Sequence, residues 1–452
     1  PGAAPVPLPT GLPMRLTRLF VVPVIALATV VASVAVPAQD QPLTVRVTGG
    51  RAAATPIAVV SMPYQGNGVA PSTDVDDVVR ADFARTGQFV VMPETAMAAR
   101  PTRGSELRYE DFPGQEYVLV GRIVDAPEGA YRIEYELFDV ARRERVLGLA
   151  MPARANAVRD VAHQVADKVY EQITGVRGAF WTRILYVATS GTGAGMRYAL
   201  MLADSDGFNP QSIVRSDKPL LSPAWAPDGR RVAYVSFERG NSQIVVQDIT
   251  TGAREVVASF RGINGAPAFS PDGSKLAMAL SRTGNLEVYV MDLGTRALTQ
   301  VTNHFGIDTE PVWSADGTTL YFTSDRGGRP QIYKAPAGGG GATRVTFEGS
   351  YNATASVSPD GRKIAVAQGS GNSYRIALMD TTLGSAQWTT LTPGNLDESP
   401  TFAPNASMLL YTARTSSGTV LYTVSANKVV RDQLPVTGNV REAAWGPYRA
   451  AR

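Results

Sequence analysis

The chain of 452 residues contains no cysteine and only two histidines, His163 and His304. Without thiols it forms no disulfide and carries no thiolate nucleophile, which suits an oxidising compartment without demanding one. Two histidines far apart in sequence do not make a usual zinc site, so neither a metal nor a cofactor is expected. Charge of one sign is also missing. The 43 basic and 40 acidic residues leave a formal net charge of +3, too small a field to expect a nucleic-acid partner. The hydrophobic fraction of 44% and charged fraction of 18% are ordinary for a globular protein.

Catalytic motifs are scarce too. There is no GxSxG elbow for a serine hydrolase. Residues 191–195 (GTGAG) lack the Lys-Ser/Thr that completes a phosphate loop and read as a hairpin tip, as do the glycines at 338–341. His163 falls in an amphipathic helix, where an ordinary helical or surface role is expected. His304 falls in a loop and could face a partner. Glu310, Asp397 and Glu398 have the residue types of a glycosidase carboxylate pair, but their places in the repeat described below put them at the rim of a channel, where they serve partner or cation binding. The enzyme alternative, a propeller-based periplasmic hydrolase or peptidase accessory, has no motif of its own.

One long apolar run is present. Residues 14–38 begin with Met14, Arg15 and Arg18, continue through the apolar stretch 19–36 with Pro23 inside it, and end in Val36, Pro37 and Ala38. The basic start, short apolar centre and small residues at the end predict a secretory signal cleaved to leave Gln39 or Asp40, so that the mature chain does not span the membrane. Residues 1–13 precede a plausible start at Met14 and are left out of the fold reasoning.

What the chain has in abundance is a repeat. Residues 223–234 read PAWAPDGRRVAY, 267–278 PAFSPDGSKLAM, 311–322 PVWSADGTTLYF, 355–366 ASVSPDGRKIAV and 400–411 PTFAPNASMLLY. The turn residues Asp228, Asp272, Asp316, Asp360 and Asn405 recur at 44 or 45 residues, and a truncated copy, AAWGPY, occupies 443–448. Pro-Asp-Gly is turn chemistry, and each turn is followed by a short β-branched or aromatic run, then a second run and a Gly- or Thr-rich turn. Fourth strands are expected at 297–302 and 343–347. Four strands in about 45 residues make a propeller blade. Five full repeats need a sixth blade. Residues 183–189 (RILYVAT) supply a second strand with no first, and 442–447 (EAAWGP) a first strand with nothing after it, so joining the chain ends closes the ring. The loops leading into each repeat, at 221–222, 262–266, 306–310, 350–354 and 395–399, read as a polar, small-residue rim around the central channel.

Residues 55–178 hold no repeat. Strands are expected at 56–62, 88–92, 117–125 and 131–140, with 144–151 extending the hairpin. Helices are expected at 74–85 and 157–173, where valines recur at helical spacing. The division predicted is a leader and signal over 1–38, a flexible segment over 39–54, an α/β domain over 55–178 and an all-β six-bladed propeller over 179–450, closed by the C-terminal strand.

Residues 264–293 (NGAPAFSPDGSKLAMAL followed by SRTGNLEVYVMDL), 309–333 (TEPVWSADGTTLYFTSDRGGRPQIY) and the closing AAWGPY, in the order signal, α/β domain and propeller, resemble the TolB family of the Gram-negative Tol–Pal system. The resemblance covers 43–448. It implies a non-catalytic periplasmic scaffold that maintains outer-membrane integrity and supports envelope constriction at cell division. Its implied partners are the lipoprotein Pal at the channel mouth and TolA at the N-terminal segment, with other outer-membrane lipoproteins or imported toxins as further candidates. Carried onto this sequence, the Pal-facing residues are Ser222, Asn264, Gly265, Ala266, Thr309, Glu310, Asp397 and Glu398, with Ile263 departing from the polar or aromatic residue expected there. The TolA-facing residues are Leu43, Thr44, Val45, Arg46 and Val47, whose alternation suits adding a strand to a partner's sheet edge.

Overall fold

The computed structural model describes residues 54–382, 387–394 and 396–450. The expected signal and the segment with Leu43, Thr44, Val45, Arg46 and Val47 lie outside the described residues. The α/β part comprises β1 (Thr55–Val59), α1 (Val75–Ala84), β2 (Phe89–Val91), β3 (Tyr117–Asp125), β4 (Tyr131–Asp139), β5 (Glu144–Ala153) and α2 (Val158–Thr174). Its sheet runs in the order β2-β1-β3-β4-β5. β1 pairs parallel with both neighbours, and β3, β4 and β5 form an antiparallel meander.

Asp76 and Asp77 in the first turn of α1 complement its dipole. α2 ends where Gly175 turns left-handed (φ 72) and returns its N–H to the Glu171 carbonyl. The helices turn Val75, Val79, Phe83, Val161, Val165 and Val169 onto one face of the sheet, against Ile57, Leu119 and Ile133. That core does not stop at the domain edge. Phe180 packs edge-on against Phe83 and Tyr170, and the same buried cluster runs on through Tyr186, Leu410, Val440 and Trp445 of the propeller.

Six four-stranded sheets follow. Their innermost strands are Leu220–Trp225, Asn264–Phe269, Asp308–Trp313, Tyr351–Val357, Asp397–Phe402 and Asn439–Trp445; these define blades 1 to 6. In blade 6 the last strand of the chain pairs antiparallel with Arg183–Ser190, with Val440 opposite Ala188 and Trp445 opposite Ile184. The architecture is therefore an α/β domain followed by a closed six-bladed β-propeller. Second strands such as Lys275–Leu280 are buried on both faces, which is why they read as continuous apolar runs rather than alternating ones. At the tight turns the side-chain oxygen of Asp228, Asp272, Asp316, Asp360 or Asn405 accepts the N–H two residues on. Ala406 takes the left-handed place (φ 59) that glycine holds in the other four.

The outer strands are shorter than the sequence suggests: Leu298–Gln300 rather than 297–302, and Thr343–Arg344 rather than 343–347. The hydroxyls of Thr302, Thr346 and Thr392 each accept a ladder N–H, from Val288, Ile332 and Ile376, all at 2.9 Å. A side chain thus replaces the backbone acceptor, and the main chain is free to leave for the next blade.

Candidate partner-binding site

Each innermost strand carries one bulge, at the same place in all six blades. The first bulged residue is Ser222, Ala266, Glu310, Thr354, Ser399 or Glu442, and each is left-handed, with φ between 47° and 54°. None is glycine. A left-handed L-residue costs about 1–2 kcal/mol, and six in a ring persist only because the surrounding sheets hold them. In four blades proline follows; the bulge leaves one residue out of the ladder, where a missing N–H does no harm.

The bulges lock neighbouring blades together. The Glu310 carboxylate of blade 3 accepts the Thr323 hydroxyl at 2.7 Å and the N–H of Thr354, the left-handed residue of blade 4, at 3.0 Å. Glu442 of blade 6 does the same for the N–H of Ser222 in blade 1, which ties the last blade to the first. Burial pushes the carboxyls of Glu310 and Glu442 up. Glu398 adds to the effect on Glu310, and Glu310 to that on Glu442, while their hydrogen bonds pull back. Glu310, Glu398 and Glu442 thus interact with one another across blades 3, 5 and 6.

Because the folded chain holds the Glu310 proton more tightly than the unfolded one, wild-type stability falls as pH rises from the ordinary carboxylate range through the raised value. Glu310→Gln keeps an acceptor for Thr354 but carries no charge. Thermal melts should show no difference near pH 4 and a gain of about 1–2 °C for the variant by pH 8. An opposite slope would show the carboxylate to be a net stabiliser.

The position two residues before each bulge is polar and buried in four blades: Asn264, Asp308, Asn352 and Asp397. Asn264 accepts the Phe260 N–H at 2.8 Å and donates to the Ser242 carbonyl at 3.0 Å. Asp308 pairs with Arg326 at 2.6 Å, and Asn352 donates to Gln331 at 2.9 Å. Burial pushes the Asp397 carboxyl up. These side chains hold the loops between blades. Of the eight residues expected to face Pal, Asn264 and Asp397 are therefore buried. Ser222, Ala266 and Glu310 sit in the bulge ring. Gly265, Thr309 and Glu398 stand one residue before it, with Glu398 exposed.

The rim is less polar than expected. Ile263 (55% exposed), Phe305 (86%), Ile307 (47%) and Phe347 (73%) stand out in the loops entering blades 2, 3 and 4. These four side chains make an arc of apolar positions, one or two in each of three successive inter-blade loops. Residues 305 and 347 lie just outside or ahead of the stretches singled out in the sequence, and the signal that could have found them is a phenylalanine in a loop otherwise built of small polar residues. His304 is half-buried; its Nδ1 accepts the Gly306 N–H at 3.0 Å and its ring lies 4.2 Å from that of Phe305. It shapes the loop.

The α/β domain packs on blades 5 and 6. Asn405 and Asn427, in turns of blade 5, donate to the carbonyls of Arg177 and Gly87 at 3.1 and 2.9 Å. Arg449, just after the last strand, makes a two-pronged pair with Asp160 of α2 at 2.7 and 2.9 Å. The α/β domain thus covers blades 5 and 6, and the corresponding turns at Asp228, Asp272, Asp316 and Asp360 in blades 1 to 4 stay exposed. The class defined by this arrangement is a six-bladed propeller joined to an α/β domain.

Comparison with known proteins gives the same class and narrows it. Residues 170–449 match the family model described as the TolB beta propeller domain, and 43–146 that of the TolB amino-terminal domain. The chain is 70% identical over 417 residues to the Tol-Pal system protein TolB of Xanthomonas euvesicatoria pv. vesicatoria (strain 85-10), covering 92% of this chain and 95% of that protein. It is 69% identical over the same length to the Tol-Pal system protein TolB of Xanthomonas campestris pv. campestris (strain B100), with the same coverage. The crystal structure of TolB from Acinetobacter baumannii superposes with a TM-score of 0.79 at 39% identity, over 87% of this chain and 97% of that one. The chain belongs to the TolB family of the Tol–Pal system, which is not a family of enzymes. Among the described residues no helix is long and apolar enough to cross a membrane.

Proposed function

We propose that the chain works in the periplasm as the scaffold of a Tol–Pal system. The lipoprotein Pal docks on the propeller at the loops entering blades 2, 3 and 4, and TolA takes the N-terminal segment through Leu43, Thr44, Val45, Arg46 and Val47. The observation that carries this reading is the make-up of the loops entering blades 2, 3 and 4: they expose Ile263, Phe305, Ile307 and Phe347, while the α/β domain packs elsewhere, on blades 5 and 6. Exposed aromatic anchors beside charged groups are how protein interfaces concentrate their binding energy. The left-handed ring residues turn backbone toward the channel on a rigid frame. In this role the chain links the outer membrane to TolA, maintains envelope integrity and supports constriction at division. The same loops are where other outer-membrane lipoproteins or imported toxins would compete.

The test uses the mature chain beginning at Gln39. It should bind the periplasmic domain of Pal and, through a separate site, the periplasmic domain of TolA. Removing residues 39–47 should abolish only the second interaction. Loss of Pal binding on that deletion, or failure of the intact chain to bind either partner, would overturn the reading.

A further inference from the structure

The joint between α1, α2 and the propeller contains buried charges that the docking face does not use. His163, midway along α2, is 1% exposed. Its Nδ1 lies 2.7 Å from Oδ2 of Asp82 on α1. Its Nε2 has no hydrogen bond and lies 3.5 Å from Oδ2 of Asp206, in the turn after the third strand of blade 6 (Arg197–Asp204). One imidazole therefore stands between a carboxylate of the α/β domain and a carboxylate of the propeller. Arg85 of α1 reaches Asp82 at 2.8 Å and the Ser205 hydroxyl at 3.0 Å. Arg159 of α2 pairs with Asp206 and lies 3.9 Å from the centre of the Phe208 ring. Around this centre Asp167 accepts the Phe180 N–H at 2.8 Å, Asp204 accepts the Asn209 amide, and Asp160 is held by Arg449.

A neutral imidazole has one N–H and one lone pair. Placed between two carboxylates, it turns that lone pair on one of them. Only the doubly protonated ring offers a donor to each side. Buried charge is tolerated where it is paired, and a buried carboxylate left without its partner is costly. The set is not a metal site, because Arg85 and Arg159 already stand against both carboxylates.

We propose that His163, bridging Asp82 and Asp206, is a proton-operated latch between the α/β domain and the propeller, tight as imidazolium and loosened when the ring becomes neutral. Arg85 and Arg159 hold the carboxylates in either state, so the joint relaxes rather than separates. Burial pulls the His163 value down, but attraction to Asp82, the hydrogen bond to it and the charge of Asp206 outweigh this and leave it raised. On the propeller side burial opposes ionisation of Asp206, yet His163, Arg85 and Arg159 leave its value lowered. Burial raises Asp204 and brings Asp167 to about 6, so neither competes strongly for the imidazolium at acidic pH. Since the folded state binds the His163 proton more tightly than the unfolded chain, the latch is complete below the ordinary imidazole value of about 6.5. It is lost as pH rises through the raised folded value.

With only two histidines, the imidazole resonances of the intact mature protein can be followed individually by NMR, and His163→Gln assigns them. The His163 resonance should titrate above the ordinary value, and Asp206→Asn should lower its midpoint by about one unit, a tenfold change in proton affinity. The melting temperature of wild type should exceed that of His163→Gln at pH 6, with the gap closing toward pH 9. A midpoint unmoved by Asp206→Asn, or a gap independent of pH, would overturn the latch. Should His163→Gln fail to fold, the wild-type and Asp206→Asn titrations still decide the matter.

Discussion

A chain ended after Gly438 should lose the folded propeller altogether, whereas one ended after Pro447 should keep it. The first truncation removes Asn439–Trp445, the innermost strand of blade 6. With it go Val440 and Trp445, both in the core, the pairing with Arg183–Ser190, the 2.8 Å bond from the Trp445 indole to Thr182 and the Glu442 clamp on Ser222. A buried tryptophan alone is worth about 3–5 kcal/mol, against about 5–15 kcal/mol for a whole domain. The inner side of Arg183–Ser190 would also be left without its ladder partner. The second truncation takes away the Arg449 pair with Asp160, its guanidinium 4.6 Å from the Trp181 ring, and the contact of Tyr448 with Arg177, about 1–3 kcal/mol for a partly buried pair and a ring. Near-ultraviolet circular dichroism and urea unfolding separate the two: loss of the native spectrum in the first, a modest fall in the midpoint in the second. A native spectrum from the chain ended at Gly438 would mean that the blades hold together without closure.

The closure, the blade count and the turn chemistry were all legible because they repeat, and a repeat shows in one sequence what otherwise takes many. The bulge ring was half legible. Proline marks it after Ser222, Ala266, Glu310 and Ser399, but Thr354 and Glu442 are followed by alanine, and no local rule places a threonine at positive φ. Asn264 and Asp397 looked like rim residues because they adjoin the rim in sequence; strand alternation buries them, and a buried polar group then has to be satisfied by its own loop. The apolar arc was missed because it breaks the polar pattern of the loops, which is what a binding surface does to a pattern set by solvation. His163 read as an ordinary helical residue. Its partners Asp82 and Asp206 are 81 and 43 positions away in the chain, on a joint that exists only once helix and propeller have packed.

The strongest loss of binding should come from the arc. Phe305 and Phe347 keep most of their surface in solvent, held by light contacts: the His304 ring beneath the first and the Arg344 guanidinium 5.2 Å from the second. Replacing either with alanine removes little that the fold uses, so the melting temperature should stay within about 1 °C of wild type. Binding is another matter. A desolvated aromatic anchor near the centre of an interface is worth about 2–4 kcal/mol, so each variant should weaken Pal binding by roughly 30- to 1,000-fold. Combining the two should not simply multiply the losses, because the residues flank one arc and their truncations share a partner surface. Val69→Ala, equally exposed but on the α/β domain, should leave Pal affinity where it was. TolA affinity of the phenylalanine variants should match wild type when Pal is absent. Calorimetric titration of the mature variants with the periplasmic domain of Pal gives the numbers, and wild-type affinity in the double variant would move the docking surface away from blades 2 to 4.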